Sequence, residues 1–337
     1  MRDRSTDSAQ FLKAHSWDDA ARHFLAGDAS DRKYDRLTRH GETAVLMDAP
    51  PGTGDNPADF VKIAQHLKSL GLSAPKILAQ DLQQGFLLIE DLGDALFARV
   101  LDDDPQREPA LYQSAADVLA HLHRFPAPPG LPDLSAQDWA RAAAFALDWY
   151  AFGATGVRPD HTAFLAALTD ALHHHADKPR VLILRDYHAE NLLDLPGRHG
   201  LAAVGLLDFQ LAQMGQPGYD LVSLLQDARR DVSTEVVAQT IRHFIGLTDC
   251  NQMEFEASFA VLGAQRSLRI LGIFARLCMV GGKPQYLRLI PRVWQHLQTS
   301  LAHPALHDLG RVCGLILPAP TDTILKIIGD QCATHSP

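Results

Sequence analysis

Up to about residue 92, apolar residues fall in short alternating or continuous runs bounded by turn-forming residues; beyond it they recur at helical spacing over longer stretches. Residues 8–26 carry the helical spacing early and predict an amphipathic helix, followed by the small-residue loop Gly27-Asp28-Ala29-Ser30-Asp31. Residues 32–37 and 43–47 read as strands around the turn Arg39-His40-Gly41-Glu42. A Pro- and Gly-rich loop, 48–54, leads to a helix over 57–70 that Gly71 stops. Residues 77–79 and 86–90 are strands with a turn at 81–85 between them. The order strand, strand, helix, strand, strand predicts a small antiparallel sheet with one packed helix. After Asp91-Leu92-Gly93, helices are predicted at 108–125, 136–152, 159–175, 218–229, 233–247, 252–280, 286–302 and 321–331, with a Pro-rich surface loop over 125–132. Among them lie the apolar run Val181-Leu182-Ile183-Leu184 and two strand-like stretches, 192–195 and 201–207, joined by the turn-forming Pro196-Gly197-Arg198-His199-Gly200. The chain thus divides into an N-terminal part, 1–92, and a larger helical part, 93–337.

A length of 337 residues supports two lobes with substantial cores. The net charge of −9, with no block of Lys or Arg, makes nucleic acid and anionic membrane poor partners. The N-terminal residues MRDRSTDSAQ are too polar for a secretory signal, and no apolar stretch is long enough to span a bilayer. Cys250, Cys278, Cys313 and Cys332 are scattered, with no CxxC pair and no disulfide framework, which suits a cytoplasmic location. His173-His174-His175 falls on a predicted helix, where consecutive side chains diverge, and reads as a solvated face rather than a metal site.

The chemistry concentrates in two segments. Residues 184–191 read Leu-Arg-Asp-Tyr-His-Ala-Glu-Asn, and the predicted hairpin then leads to Asp208-Phe209-Gln210. Phosphoryl transfer from ATP needs one Asp to orient or accept the proton of the attacking hydroxyl, and an Asn with a second Asp to hold the magnesium that bridges the phosphates. The Arg-Asp-x-x-x-x-Asn form of a kinase catalytic loop is met by Arg185, Asp186 and Asn191, and Asp-Phe-Gly is met at two of three positions, with Gln210 in place of Gly. The hairpin folds Asp208 back beside Asn191, so two oxygen ligands meet. Magnesium usually takes one or two protein carboxylates, water and phosphate completing its shell. No Ala-Pro-Glu follows Asp208, which argues against a protein kinase.

This arrangement resembles the aminoglycoside phosphotransferase and choline kinase family over roughly residues 20–300, most specifically over 181–227, including Arg185-Asp186-Tyr187-His188 and Gly218-Tyr219-Asp220-Leu221. The resemblance implies an α+β, bilobal, protein kinase-like fold: a small antiparallel-sheet N-terminal lobe with one packed helix and a larger, mostly helical C-terminal lobe. Asp28-Ala29-Ser30, Leu46-Met47-Asp48-Ala49-Pro50-Pro51, Glu90-Asp91-Leu92-Gly93 and Asp208-Phe209-Gln210 are similar to a bacterial branch of the family. That branch phosphorylates the anomeric hydroxyl of N-acetylmuramate and N-acetylglucosamine in murein recycling. The implied cofactors are ATP and Mg2+, and the implied partner is a small-molecule acceptor. Rival readings are an aminoglycoside, choline or other small-alcohol kinase, and a nucleotide-binding pseudokinase scaffold.

The same resemblance assigns the remaining roles. Asp186 is the catalytic base or orienting group, Arg185 pairs with an acidic partner to fix the loop, and His188 either shapes the loop or takes part in chemistry. Asp220 is structural support, capping its helix and accepting hydrogen bonds from the catalytic-loop backbone. Glu90 and Leu92 belong to the connector that offers backbone groups to adenine, and Leu193 and Leu207 form the apolar floor beneath it. Ser30 and its following amides reach phosphate. The family expects a Lys where Met47 stands; either Arg32 and Arg36 on one strand face or Lys33 on the other supplies the missing charge, or these residues form a solvent-facing basic strand. The acceptor residues are read from the helical part of the chain rather than from the resemblance: Trp149 and Tyr150 either stack on a sugar ring or pack in the core. Asp227, Arg229 and Arg230 offer polar groups, with Arg229 or Arg230 the partner for a muramate carboxylate.

Overall fold

The computed structural model describes residues 4–27, 32–52 and 54–336. Strands β1 (Ala21–Ala26), β2 (Lys33–Arg39), β3 (Glu42–Asp48), β4 (Ile77–Asp81) and β5 (Phe86–Glu90) form an antiparallel sheet in the order β1-β2-β3-β5-β4. Between β2 and β3 the chain reverses through His40 and Gly41, whose φ angles of 45° and 82° give a tight turn matched to the strand twist. Between β4 and β5 only glycine fits at residue 85: its φ is 77°, and a Cβ there would stand 1.9 Å from the Ala49 carbonyl oxygen.

Helix α1 (Arg4–Ala14) covers one face of the sheet. Its Phe11 and Leu12 join Trp17, Leu37, Ala44, Leu46, Phe86 and Leu88 in one core, and Phe11 stacks on Phe86 with ring centroids 5.7 Å apart. The predicted helix over 8–26 is therefore corrected. It ends at Ala14, Ser16 takes a φ of 60°, and 21–26 pair with β2 as an edge strand. Phe24 and Leu25, which supplied the helical spacing, are exposed on that edge. A backbone ladder to β2 outweighed a weak local period. The order is strand, strand, strand, helix, strand, strand, with α2 (Pro57–Ser69) capped by the Asn56 side chain and stopped at Gly71.

Beyond the sheet come α3 (Phe97–Asp103), α4 (Glu108–Leu122), α5 (Ala136–Ala143), a π-helical segment (Ala146–Ala151), α6 (Phe152–Thr155) and α7 (Thr162–His175). Three-residue strands follow: β6 (Val181–Ile183), then β7 (Leu192–Asp194) paired with β8 (Val204–Leu206), then β9 (Gln213–Gly215) paired with β6. The last elements are α8 (Tyr219–Leu225), α9 (Thr234–Thr248), α10 (Gln252–Met279), α11 (Ile290–Leu301), α12 (His307–Ile316) and α13 (Asp322–Gly329). Among the described residues, no helix is long and apolar enough to cross a membrane.

The chain packs as two compact units, Met1–Gly130 with Leu184–Ala212, and Leu131–Ile183 with Gln213–Pro337. The expected boundary after Leu92 falls inside the first unit, because the hairpin of β7 and β8 is bonded into the part that carries the sheet. Leu206 N donates to Ser73 O at 2.9 Å, and Asp194 N to Ala95 O at 2.8 Å.

The second unit is built on the 28-residue α10, which buries Leu262, Leu268, Leu271 and Phe274. The helix expected over 136–152 is broken where α10 meets it. A Cβ at Gly272 would lie 2.2 Å from the Phe145 carbonyl carbon and oxygen, and the chain widens into π-helix from Ala146. Similarly, the helix expected over 286–302 begins as a 3-10 turn at Pro284–Leu289, and the strand expected over 201–207 begins as one at Gly200–Ala203.

Gly272→Ala should destabilise by about 1–3 kcal/mol despite the better helix propensity of Ala, because the added methyl has no space. Gly314→Ala in α12, with nothing within 4 Å of the added carbon, should stabilise by roughly 0.5–1 kcal/mol. Urea midpoints for the two variants decide it; equal shifts would refute the close crossing at Phe145.

Candidate active site

The proposed catalytic loop opens on a strained turn. Arg185 has a φ of 74°, and Asp186 N donates across it to Leu184 O at 3.0 Å, which is the positive-φ γ-turn. The loop is anchored at its middle. Tyr187 Oη donates to the Ala115 carbonyl of α4 at 2.9 Å, and Ala98 N of α3 donates to Ala189 O at 3.0 Å. Both Tyr187 and Ala189 are buried, leaving Arg185, Asp186 and Asn191 half-buried between them.

Asn191 Nδ2 donates to the Asp186 carbonyl at 2.9 Å and lies 3.4 Å from His188 Nε2. With the amide nitrogen held there, Oδ1 is the atom left to face a ligand. Leu207 N donates to Asn191 O at 3.0 Å, extending the β7–β8 ladder by one rung, so Asp208 emerges beside Asn191. Asp208 has a φ of 54°, and its neighbour Phe209 is fully buried, stacked on Phe60 of α2 with centroids 4.9 Å apart. Gln210 Nε2 donates to Asp208 Oδ1 at 2.9 Å, a bond that Gly at that position could not make. An amide oxygen beside a partly exposed carboxylate is a hard-oxygen pair of the kind magnesium takes. Among the described residues, no group of three or more His, Cys, Asp and Glu could hold a metal; His173, His174 and His175 are exposed.

Of the three candidate cations, the structure brings Arg32 to this point. Its Nη2 lies 3.1 Å from Asp208 Oδ1 and 3.4 Å from Asp55 Oδ2, and the side chain is buried. Arg36 is committed elsewhere, to Asp91 at 2.8 Å and Asp94 at 2.6 Å, and Lys33 is exposed. Met47 is fully buried opposite Tyr34 and Leu87. Sequence reasoning missed Tyr34 and Asp55. Burial pushes the Tyr34 phenol up to about 12, with Arg32 pulling it back and Asp208 and Asp55 reinforcing the rise. Strand alternation had already put residue 34 on the face of Arg32 and Arg36. No local signal ties Asp55 to Arg32. Ser30 lies outside the described residues.

The connector is braced by side chains. Glu90 accepts from Arg198 Nη2 at 2.5 Å and from Lys76 N at 3.0 Å, and Arg198 also reaches Ser73 Oγ at 2.7 Å. The side chain of Glu90 is thus a brace, while Asp91 Oδ1 accepts from Gly93 N at 3.0 Å. Leu92 and Leu207 are half-buried, and Leu193 is buried against Gly205.

The acceptor candidates lie in the second unit. Tyr150 is a core residue: it is fully buried, its hydroxyl donates to Pro318 O at 2.7 Å, and burial raises its pKa. That removes it as a stacking surface. Trp149 is half-buried under the Arg276 guanidinium, 5.6 Å from its ring. Asp227 is buried; Oδ1 accepts from Arg229 N at 2.8 Å, while Oδ2 has no hydrogen-bond partner among the described residues. Arg229 is exposed and Arg230 half-buried. Arg292 of α11, which the sequence did not single out, holds this turn by pairing with Asp231 at 2.5 and 2.7 Å and donating to Ala228 O at 3.1 Å. Asp220 is fully buried in the first turn of α8, and Gly218 rather than Asp220 occupies the cap position.

Comparison with known proteins agrees with this geometry. The model of the phosphotransferase enzyme family, APH, matches residues 22–254. An N-acetylmuramate/N-acetylglucosamine kinase of Caulobacter vibrioides is 38% identical, over 91% of this chain and 95% of its own. A protein of the same description from Pseudomonas aeruginosa is 34% identical, over 85% and 86%. Among solved structures, a microcompartment-associated aminopropanol kinase superposes with a TM-score of 0.59 at 16% identity, covering 88% of this chain and 96% of that one. The streptomycin-ATP complex of APH(2")-IIa gives 0.54 at 13%, covering 77% and 88%. The α+β, kinase-like fold is therefore the observed one, and with a match over most of its length the chain belongs to the APH phosphotransferase enzyme family.

Proposed function

We propose that the protein transfers the γ-phosphoryl group of ATP to the anomeric hydroxyl of N-acetylmuramate or N-acetylglucosamine. The observation that carries the phosphotransfer chemistry is the linked trio of Asp186, Asn191 and Asp208: one hydrogen bond ties Asn191 to Asp186, and one backbone rung brings Asp208 alongside. The amino-sugar acceptor rests on the relatives' descriptions and on how much of this chain they cover.

In this reading Asp186 accepts a hydrogen bond from the acceptor hydroxyl, aligning its oxygen with the phosphorus and taking the proton as the bond forms. Asn191 Oδ1 and the Asp208 carboxylate would hold a magnesium ion, which when bound would supply positive charge to offset the charge of the transferring phosphoryl group. Arg32 takes the part of the lysine that Met47 replaces. Its guanidinium is always charged and has several donors, so it can keep one on Asp208 while another meets a phosphate oxygen. His188 orients the Asn191 amide. Trp149 offers a partly open ring to a sugar face, Asp227 Oδ2 a buried acceptor for a hydroxyl or amide proton, and Arg229 or Arg230 a partner for a muramate carboxylate.

Asp186→Asn should lower kcat by ~10²–10⁴ with ATP affinity nearly unchanged, read from steady-state kinetics beside a nucleotide binding titration. Weakened ATP binding with an unaltered rate would reassign the residue.

Arg32→Ala should impair nucleotide use strongly, by at least about 10²-fold in kcat/KM for ATP, while Lys33→Ala stays near wild type. Met47→Lys should not rescue Arg32→Ala, because it buries an amine in a packed strand. Rescue would show that the lysine position remains open to phosphate.

A free reducing amino sugar should be phosphorylated and its 1-O-methyl glycoside should not, a contrast of up to ~10⁴ when one hydroxyl is read by hydrogen bonding. Equal turnover of both would sink the anomeric assignment. Turnover of kanamycin-like amines or choline, with none of sugars, would move the acceptor to those classes.

A further inference from the structure

Cys278 lies at the C-terminal end of α10, and Cys332 lies in the turn after α13. Two backbone bonds lay this last segment along the end of α10: Ala333 N donates to Cys278 O at 3.0 Å, and His335 N to Met279 O at 3.1 Å. The first brings Cys332, the residue before Ala333, beside Cys278. The segment is held from a second side by Gln331, whose Nε2 donates to Gly153 O of α6 at 2.7 Å. Of the pair, Cys332 is partly exposed and Cys278 fully buried, its Sγ 3.9 Å from Ile328 O. A partly exposed cysteine backed by a fully buried one is the arrangement of an attacking and a resolving thiol.

We propose that Cys278 and Cys332 form a reversible disulfide, a modification site written by small-molecule disulfides such as oxidised glutathione. The Cys332 thiolate attacks one sulfur of the oxidant, forming a mixed disulfide and releasing one thiol. The Cys278 thiolate then attacks Cys332 Sγ and expels the second. Two protein thiols lose two protons and two electrons, and one small disulfide becomes two thiols. Burial pushes the Cys278 thiol up to about 12, with the Cys332 contact adding to the rise, so closure is the slow step. Over the neutral to mildly alkaline range it should quicken by about tenfold per pH unit, as the thiolate fraction grows. Once closed, the bond ties the turn after α13 to the end of α10 covalently.

The test treats the folded, full-length protein with oxidised glutathione and reads intact mass and non-reducing peptide maps. The expected product has lost two hydrogens, links the Cys278 peptide to the Cys332 peptide, and reverts with dithiothreitol. Cys332→Ser should abolish it, and Cys250→Ser should leave it unchanged. An unchanged mass, a glutathione adduct at Cys332 that never closes, or a link through Cys250, Cys313 or a second chain would each overturn the proposal. Because the readout is covalent mass and uses no phosphate acceptor, it stands apart from the kinase assignment.

Discussion

The hydrogen bond from Asn191 Nδ2 to the Asp186 carbonyl is the constraint on which the chemistry proposed for the first unit depends. It fixes which way an otherwise rotatable amide points, and so turns a side chain with two donors and an acceptor into a single aimed oxygen. It also closes the loop that begins with the strained turn at Arg185. A positive φ at a non-glycine residue costs of order 1–3 kcal/mol and persists only when its surroundings overdetermine it. Here the surroundings are the anchors from α3 and α4 at Ala189 and Tyr187, together with this amide.

The second proposed metal ligand, Asp208, is set partly by packing. Phe209 has no partner of its own chemistry to find, only Phe60 and a place from which water is excluded. Burial of a ring of that size is worth about 1.5–3 kcal/mol, comparable to one hydrogen bond to a charged group. The conformation of the carboxylate is therefore set jointly by the buried residue after it and by its own partners. Gln210 and Arg32 then adjust its charge and direction.

Much of this was legible in the chain. The spacing of Asp186, Asn191 and Asp208, and the turn-forming residues 196–200, carried the hairpin and the meeting of these three residues, because short-range geometry left few alternatives. What could not be read was long-range. The strand at 21–26 looked helical until its partner was known, and the break at Ala146 depends on a glycine 126 positions away, at 272. The choice of Arg32 over Arg36 turned on carboxylates at Asp55, Asp91 and Asp94, whose partners no local pattern announces. Tyr150 was ambiguous for the same reason: its hydroxyl is satisfied by a carbonyl 168 residues on, at Pro318.

The way the chain divides carries a consequence for how such a protein changes over time. Every residue assigned to the transfer chemistry, from Arg32 to Asp208, belongs to one compact unit, and the acceptor candidates belong to the other, which has its own core around α10. Substitutions can accumulate in the second unit, remodelling the turn at 227–231 or the ring at Trp149, without touching the core that holds the proposed catalytic loop. Inheritance can then hold one half of the protein still and experiment with the other.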